Sequence, residues 1–171
     1  MRRRAVDTDV DYDKLLQMQR QSWGINFPGL DFCEETFRGS LQASADRGEV
    51  FVYEIDGEIV GWLWLDLGIP RGNAHVRHVQ VDGAHWGHTL GRHILEDAIG
   101  MCIQRGYRAL TLNVTKSNAR AMSLYEHLGF VMVEDRGERQ CMSLQLRRRR
   151  GWRDLRSAQR GATRQPARRG G

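Results

Sequence analysis

The sequence predicts a mixed α/β domain, one β-sheet carrying helices on both of its faces. Three patterns predict it. Residues 50–55 and 58–65 are β-rich runs separated by Asp56-Gly57, a strong hairpin signal. Residues 75–81 read as a strand that runs through a glycine-containing loop into an amphipathic helix. Residues 109–114 read as a strand followed by a short helix and two closing strands. A chain of 171 residues, 40% of them apolar, suits one domain with a sizeable core.

Taken in order, residues 11–22 place Tyr12, Leu15, Leu16 and Gln19 at helical spacing, with Asp9 or Asp11 as the cap. Gly24 and Pro28 break that pattern. A second helix over residues 32–47 opens at Asp31 and closes at Gly48. The hairpin and the loop 68–73 follow. From Leu90 the period becomes helical: Leu90, Ile94, Ala98 and Met101 share a face, and Gly106 ends the helix. In 109–114, Leu110, Leu112 and Val114 share one side. Ser117 or Asn118 starts a short helix whose Ala121, Leu124, Tyr125 and Leu128 face inward, and Gly129 stops it. Residues 130–133 and 140–146 close the sheet around Asp135-Arg136-Gly137. The order is ααββ(β)αβαββ, and the folded domain spans residues 1–146.

Composition narrows the function. No apolar run approaches the roughly 18 residues that cross a bilayer. The basic start, Arg2-Arg3-Arg4, has no apolar stretch behind it, so the expectation is a cytoplasmic protein without a membrane partner. The net charge of +5 conceals an asymmetry. Residues 147–171 hold ten Arg against one Asp, with Trp152 and Leu155 as the only large apolar residues. Such a stretch cannot bury enough surface to fold and is expected to be a disordered tail. It is either a solvated extension or a weak contact for RNA and other polyanions. Cys33, Cys102 and Cys141 are too scattered for a disulfide framework and are expected as buried or half-buried thiols. His75, His78, His85, His88 and His93 form a run, but no Cys accompanies them and only His85 and His88 share a loop, so no metal is expected.

The block 79–92, Val79-Gln80-Val81-Asp82-Gly83-Ala84-His85-Trp86-Gly87-His88-Thr89-Leu90-Gly91-Arg92, is a strand, a Gly loop and a helix start. Unpaired N–H groups at a helix start and the macrodipole make an anion site. It contains neither a P-loop nor GxGxxG. Further on, residues 112–130 carry Asn118, a small-residue helix and Tyr125-Glu126-His127-Leu128-Gly129-Phe130. These two blocks, in this order and at this separation, closely resemble the signatures of the GNAT superfamily of N-acetyltransferases, and most of all its RimI-type peptide α-amine acetyltransferases. The resemblance covers roughly residues 5–146.

The resemblance implies the GNAT acyl-CoA N-acyltransferase fold and acetyl-CoA as co-substrate. It implies that the backbone of Val79, Gln80 and Val81 pairs with the pantetheine arm, between two splayed strands. Gly87, His88, Thr89, Leu90, Gly91 and Arg92 would cradle the pyrophosphate. Asn118 would bond the cofactor, as well as cap its helix, and Tyr125 would protonate the leaving thiolate. The reaction is then direct attack by an amine on the thioester, with no acyl-enzyme.

Three positions depart from the family pattern. Trp86 stands where Arg or Gln is usual, Thr89 where the middle Gly is usual, and Asn113 where related enzymes often carry a Glu base. An amide cannot take a proton, so His75 on the neighbouring strand becomes the candidate base, with water as the alternative. His78, three residues on, is expected on the opposite face from His75. An α-amine, with a pKa of about 7.7–8.0 against about 10.4 for Lys, needs less help from a base. The expected acceptor is therefore a protein or peptide N-terminus. The alternatives are a small amine of the polyamine or aminoglycoside kind, a non-catalytic acyl-CoA sensor, and a nucleic-acid-binding protein led by the tail. The acceptor cleft is expected near Trp23 to Phe32 and the 68–73 loop. The acidic excess of residues 1–146 would suit a cationic acceptor.

Overall fold

The computed structural model describes residues 1–69, 72–86 and 89–146. Along the chain run β1 (Arg2–Ala5), α1 (Thr8–Asn26), α2 (Glu34–Asp46), β2 (Val50–Ile55), β3 (Glu58–Asp66), β4 (Asn73–Val81), α3 (Leu90–Gln104), β5 (Ala109–Thr115), α4 (Ala119–His127), β6 (Val131–Arg136) and β7 (Arg139–Gln145). A single 3-10 turn, Gly83–His85, links β4 toward α3. The seven strands form one sheet in the order β1-β2-β3-β4-β5-β7-β6. Neighbours are antiparallel except β4 and β5, which are parallel. The mixed sheet with helices on both faces is the architecture expected from the sequence.

Each face of the sheet buries its own core. On one side Ile94, Leu95 and Ala98 of α3 and Tyr125 of α4 pack on Leu63, Leu65, Val76, Leu110 and Leu112. On the other, Leu15 and Met18 of α1 and Phe37 and Leu41 of α2 pack on Val50, Val52, Trp62 and Trp64. The alternation of β5 assigns its residues to these faces: Leu110, Leu112 and Val114 are buried, while Thr111, Asn113 and Thr115 are half-buried. Asp56 (φ 52) and Gly57 (φ 86) close the β2–β3 hairpin in the left-handed region, as a tight two-residue turn requires.

Four local expectations change. The basic start is an edge strand, β1, paired with β2. Its arginines are neutralised on the spot: Arg3 meets Asp97 at 2.7 Å, and Arg4 reaches the buried Asp11 at 2.6 Å and Glu54 at 2.7 Å. Burial alone would raise the pKa of Asp11, but the hydrogen bonds from Arg4 and the Asp7 amide outweigh it and hold the carboxylate low. Helix α1 is capped by Asp7, which accepts from the Asp9 amide, and it runs through Gly24 to Asn26. A helical glycine costs only about 1 kcal/mol. Here the aromatic pair Trp23–Phe27, 4.5 Å between ring centroids, holds the last turn. Helix α2 starts after Cys33 and not after Asp31. Phe32 is drawn against Trp23 and Phe37, and the chain stays extended to Cys33. Finally, Cys33 is exposed, whereas Cys102 is buried and Cys141 half-buried.

Candidate active site

The parallel pairing of β4 with β5 ends at Val76 and Leu112. Beyond it, β4 runs on to Val81 bonded to β3 alone, and β5 to Thr115 bonded to β7 alone. The strands part, and a cleft of ≈ 990 Å³ enters the gap from both faces of the sheet. One edge of β4, along residues 77–81, therefore presents main-chain groups that no strand satisfies.

A bulge sits at the mouth of the gap. Leu65 pairs with Val76 and Trp64 with His78, so Arg77 is an extra residue in β4. Ala74 and Val76 before it and Val79 and Val81 after it all pack on the α3–α4 side. His75, His78 and Gln80 consequently share the α1–α2 side, and the expectation that His75 and His78 oppose each other fails for this reason. His78 stacks on Trp62 at 4.4 Å and bonds Gln80 at 3.1 Å. Burial pushes its pKa down to about 4. Gln80 donates to the Met18 carbonyl at 2.8 Å, so its side chain is committed to α1 and its backbone lines the cleft.

His75 lies in a directed chain of hydrogen bonds. Arg136 only donates, and its guanidinium lies 3.3 Å from Asn113 Oδ1. The other end of that amide, Nδ2, then donates to His75 Nε2 at 3.3 Å. His75 Nδ1 donates to Thr111 Oγ1 at 2.8 Å, and Thr111 donates to the Ala74 carbonyl at 3.2 Å. The basic lone pair of His75 is thus occupied by Asn113. Burial lowers the pKa of His75; Asp66 opposes this, and Arg136, Arg77 and Arg139 add to it.

On the α3–α4 side the cleft meets the start of α3. Thr89 is the N-cap, yet its side chain makes no capping bond, and the first turn holds no acidic residue. Among the described residues, no side chain caps the first amides of this 15-residue helix, at the positive end of its dipole. Thr89, Gly91 and Arg92 line the cleft, with Arg120 beside them. Leu90 turns to the core. Gly87 and His88 lie outside the described residues. Trp86, 44% exposed, packs at the loop edge, where its Nε1 donates to the Val81 carbonyl at 2.9 Å. Asn118 caps α4, its Oδ1 accepting from the Ala121 amide at 3.1 Å, and it also lines the cleft. Tyr125 is buried beside Phe130 and reaches the cleft, and its hydroxyl has no hydrogen-bond partner among the described residues. Burial pushes its pKa up to about 12, so it stays protonated. Cys102 is buried in the core with its pKa raised to about 11, which suits no nucleophile.

The α1–α2 side is an aromatic shelf of Trp23, Phe27 and Phe32. Its location matches the expected acceptor end, although Gly68 and Ile69 take no part in the lining. Its charge does not match. Arg77, Arg92, Arg120 and Arg139 line the cleft against one carboxylate, Asp31, among the described residues. The acidic excess of the domain lies elsewhere on its surface. Arg77 and Arg139 went unnoticed in the sequence because nothing local distinguishes them from other surface arginines. Among the described residues no group of His, Cys, Asp and Glu could hold a metal ion, and no helix is long and apolar enough to cross a membrane.

Residues 12–130 match the acetyltransferase (GNAT) family. The chain is 29% identical over 123 residues to the 5-NmdU N-acetyltransferase of Pseudomonas phage PaMx11, covering 72% of this chain and 82% of that one. It is 35% identical over 79 residues to the mycothiol acetyltransferase of Beutenbergia cavernae, covering 46% of this chain but only 26% of that longer protein. Among solved structures, the ribosomal-protein-S18-alanine N-acetyltransferase of Escherichia coli superposes with a TM-score of 0.68 at 22% identity, covering 88% of this chain and 97% of that one. The chain belongs to the GNAT family, the acetyl-CoA-dependent N-acetyltransferases. The described residues fit that donor: an unpaired strand edge for an amide-rich arm, an open helix start for phosphate, and a protonated phenol between them.

Proposed function

We propose that this member of the GNAT family acetylates the α-amine of a peptide or protein N-terminus, with residues 1–146 as the catalytic domain. The donor supplies an acetyl thioester. The free edge of Val79, Gln80 and Val81 orients its amide-rich arm, and the open amides of α3 with Thr89, Gly91 and Arg92 hold its phosphates. Asn118 Nδ2, free once Oδ1 caps α4, donates to the same arm. The amine adds to the thioester carbonyl; as the C–S bond breaks, Tyr125, protonated and unbonded, gives its proton to sulfur, while the nitrogen loses its extra proton to water, from which Tyr125 is reprotonated.

The observation that carries the choice of amine is the His75–Asn113 pair. The candidate base is neutral, but its lone pair is already engaged. The site thus offers little help to an amine that arrives protonated. A lysine, with a pKa of about 10.4, needs that help, whereas an α-amine at about 7.7–8.0 is substantially neutral near pH 7.5. Arg77, Arg136 and Arg139 around His75 further disfavour an ammonium. The same positive lining counts against the polyamine and aminoglycoside alternative, since such acceptors are polycations. The E. coli neighbour, whose name specifies an N-terminal alanine, is in line with this reading.

The test is CoA release from acetyl-CoA across free N-terminal peptides, N-terminally blocked lysine peptides, polyamines and aminoglycosides. Turnover confined to free N-termini is expected. Faster turnover of blocked lysine peptides or of polycations would sink the proposal, and acetyl-CoA binding without turnover on any acceptor would mark a sensor.

A further inference from the structure

Arg139, at the start of β7, points to the α1–α2 side, where its guanidinium lies 5.1 Å from the Phe27 ring centroid. Arg77, at the bulge, lies over Trp64 at 4.4 Å. Neither makes a salt bridge with any described carboxylate, in contrast to Arg92, which holds Glu96, and Arg136, which holds Glu134. Arg139 Nε is moreover buried without a hydrogen-bond partner. A buried, unpaired guanidinium N–H is costly unless something accepts from it. Both arginines lie near His75: Arg77 is two residues further along β4, and Arg139 is opposite Thr115, two residues along β5 from the Asn113 that bonds His75.

We infer that Arg139 and Arg77 form an anion subsite at the acceptor end of the cleft, which selects N-termini followed by an acidic residue at the second or third position. The inference rests on the N-terminal reading above. Register supports the reach. Arg139 is opposite Thr115 and Cys141 is opposite Asn113, which puts Arg139 two residues along the sheet from Asn113. That is about 7 Å at ~3.4 Å per residue, the advance of one to two residues of an extended peptide. The guanidinium forks suit carboxylates, and the shelf of Trp23, Phe27 and Phe32 covers the peptide's apolar atoms. With Asp31 as the lone carboxylate on the lining among the described residues, a basic residue at those positions meets repulsion.

The experiment compares three peptides identical except at positions two and three, which carry Glu-Glu, Ser-Ser or Lys-Lys. The expected order of kcat/KM is Glu-Glu, then Ser-Ser, then Lys-Lys, with about tenfold between the first two for one charge-assisted contact. The gap shrinks as salt rises. R139Q brings the Glu-to-Ser ratio to within about twofold of one, and R139K restores part of it through the retained charge. Acetyl-CoA affinity by calorimetry reports that each variant is folded. Equal or lower turnover of the Glu-Glu peptide by the unaltered enzyme overturns the inference without reference to any variant. Full acid preference in R139Q overturns the assignment to Arg139. Turnover of blocked lysines or small amines alone overturns the N-terminal reading, and the subsite with it.

Discussion

One side of the gap between β4 and β5 is lined by main chain and the open start of a helix. The other is lined by side chains: Trp23 and Phe27 from α1, Phe32 from the turn after it, Arg77 from β4 and Arg139 from β7. Every residue carries amides and carbonyls, so the donor side needs only local sequence that frees them and lets a ligand come near. That requirement leaves a contiguous pattern, such as 79–92. The acceptor side needs particular side chains in one place, which segments far apart in the chain supply without any local pattern. On the proposed reading, a common donor and a variable acceptor would thus be served by two different kinds of surface.

The sharpest way to break this division is Tyr125→Phe. If the phenol is the acid on the donor side, kcat falls by about 10² or more while acetyl-CoA affinity holds. Unchanged turnover removes Tyr125 from that role. Gly61→Ala tests the main-chain surface itself. A Cβ there would lie 2.6 Å from Ile94 Cδ1 and 2.9 Å from the Gln80 carbonyl, in the part of β4 that forms the free edge. The expected loss is about 1–3 kcal/mol in denaturant unfolding, with weaker acetyl-CoA binding. Unaltered affinity would show that the edge tolerates displacement.

The acceptor side is sharpened by pH. The neutral amine is the nucleophile, so removing its proton raises the rate. For a peptide N-terminus, kcat/KM should climb about tenfold per unit and level off near the amine pKa of about 7.7–8.0. A break below about 6.5 would point instead to His75 as the titrating base. The smallest effect is expected from His75→Gln, less than about tenfold in kcat, where loss of a true general base costs about 10²–10⁴.

The sequence was most legible where one element's needs are written in its own residues. Helix α3, β5 and α4 with its Asn118 cap lie where spacing and capping place them, and so does the Asp56-Gly57 turn. What escaped depends on distant partners. Strand β1 is short and basic, and it becomes a strand through Asp11, Glu54 and Asp97, far from it in the chain. Gly24 suggests a helix end only until Phe27 is known to stack on Trp23. The bulge at Arg77 has no glycine or proline to announce it. Its one trace is that Ala74, Val76, Val79 and Val81 miss strict alternation by a residue. The arginines of the acceptor side are invisible until the fold shows which of them lack a carboxylate.

The bulge also bears on how the gene can change. An in-frame loss of the codon for Arg77 removes the extra residue itself, along with its stacking on Trp64. It would leave an unbroken alternation in which Val76, Val79 and Val81 keep the core side while His75, His78 and Gln80 keep the other. A one-residue deletion in the regular pairing of β5 with β7 would instead turn every following side chain of that strand to the opposite face. A deletion scan should therefore find this codon more tolerant, as far as folding goes, than those of β5 or β7.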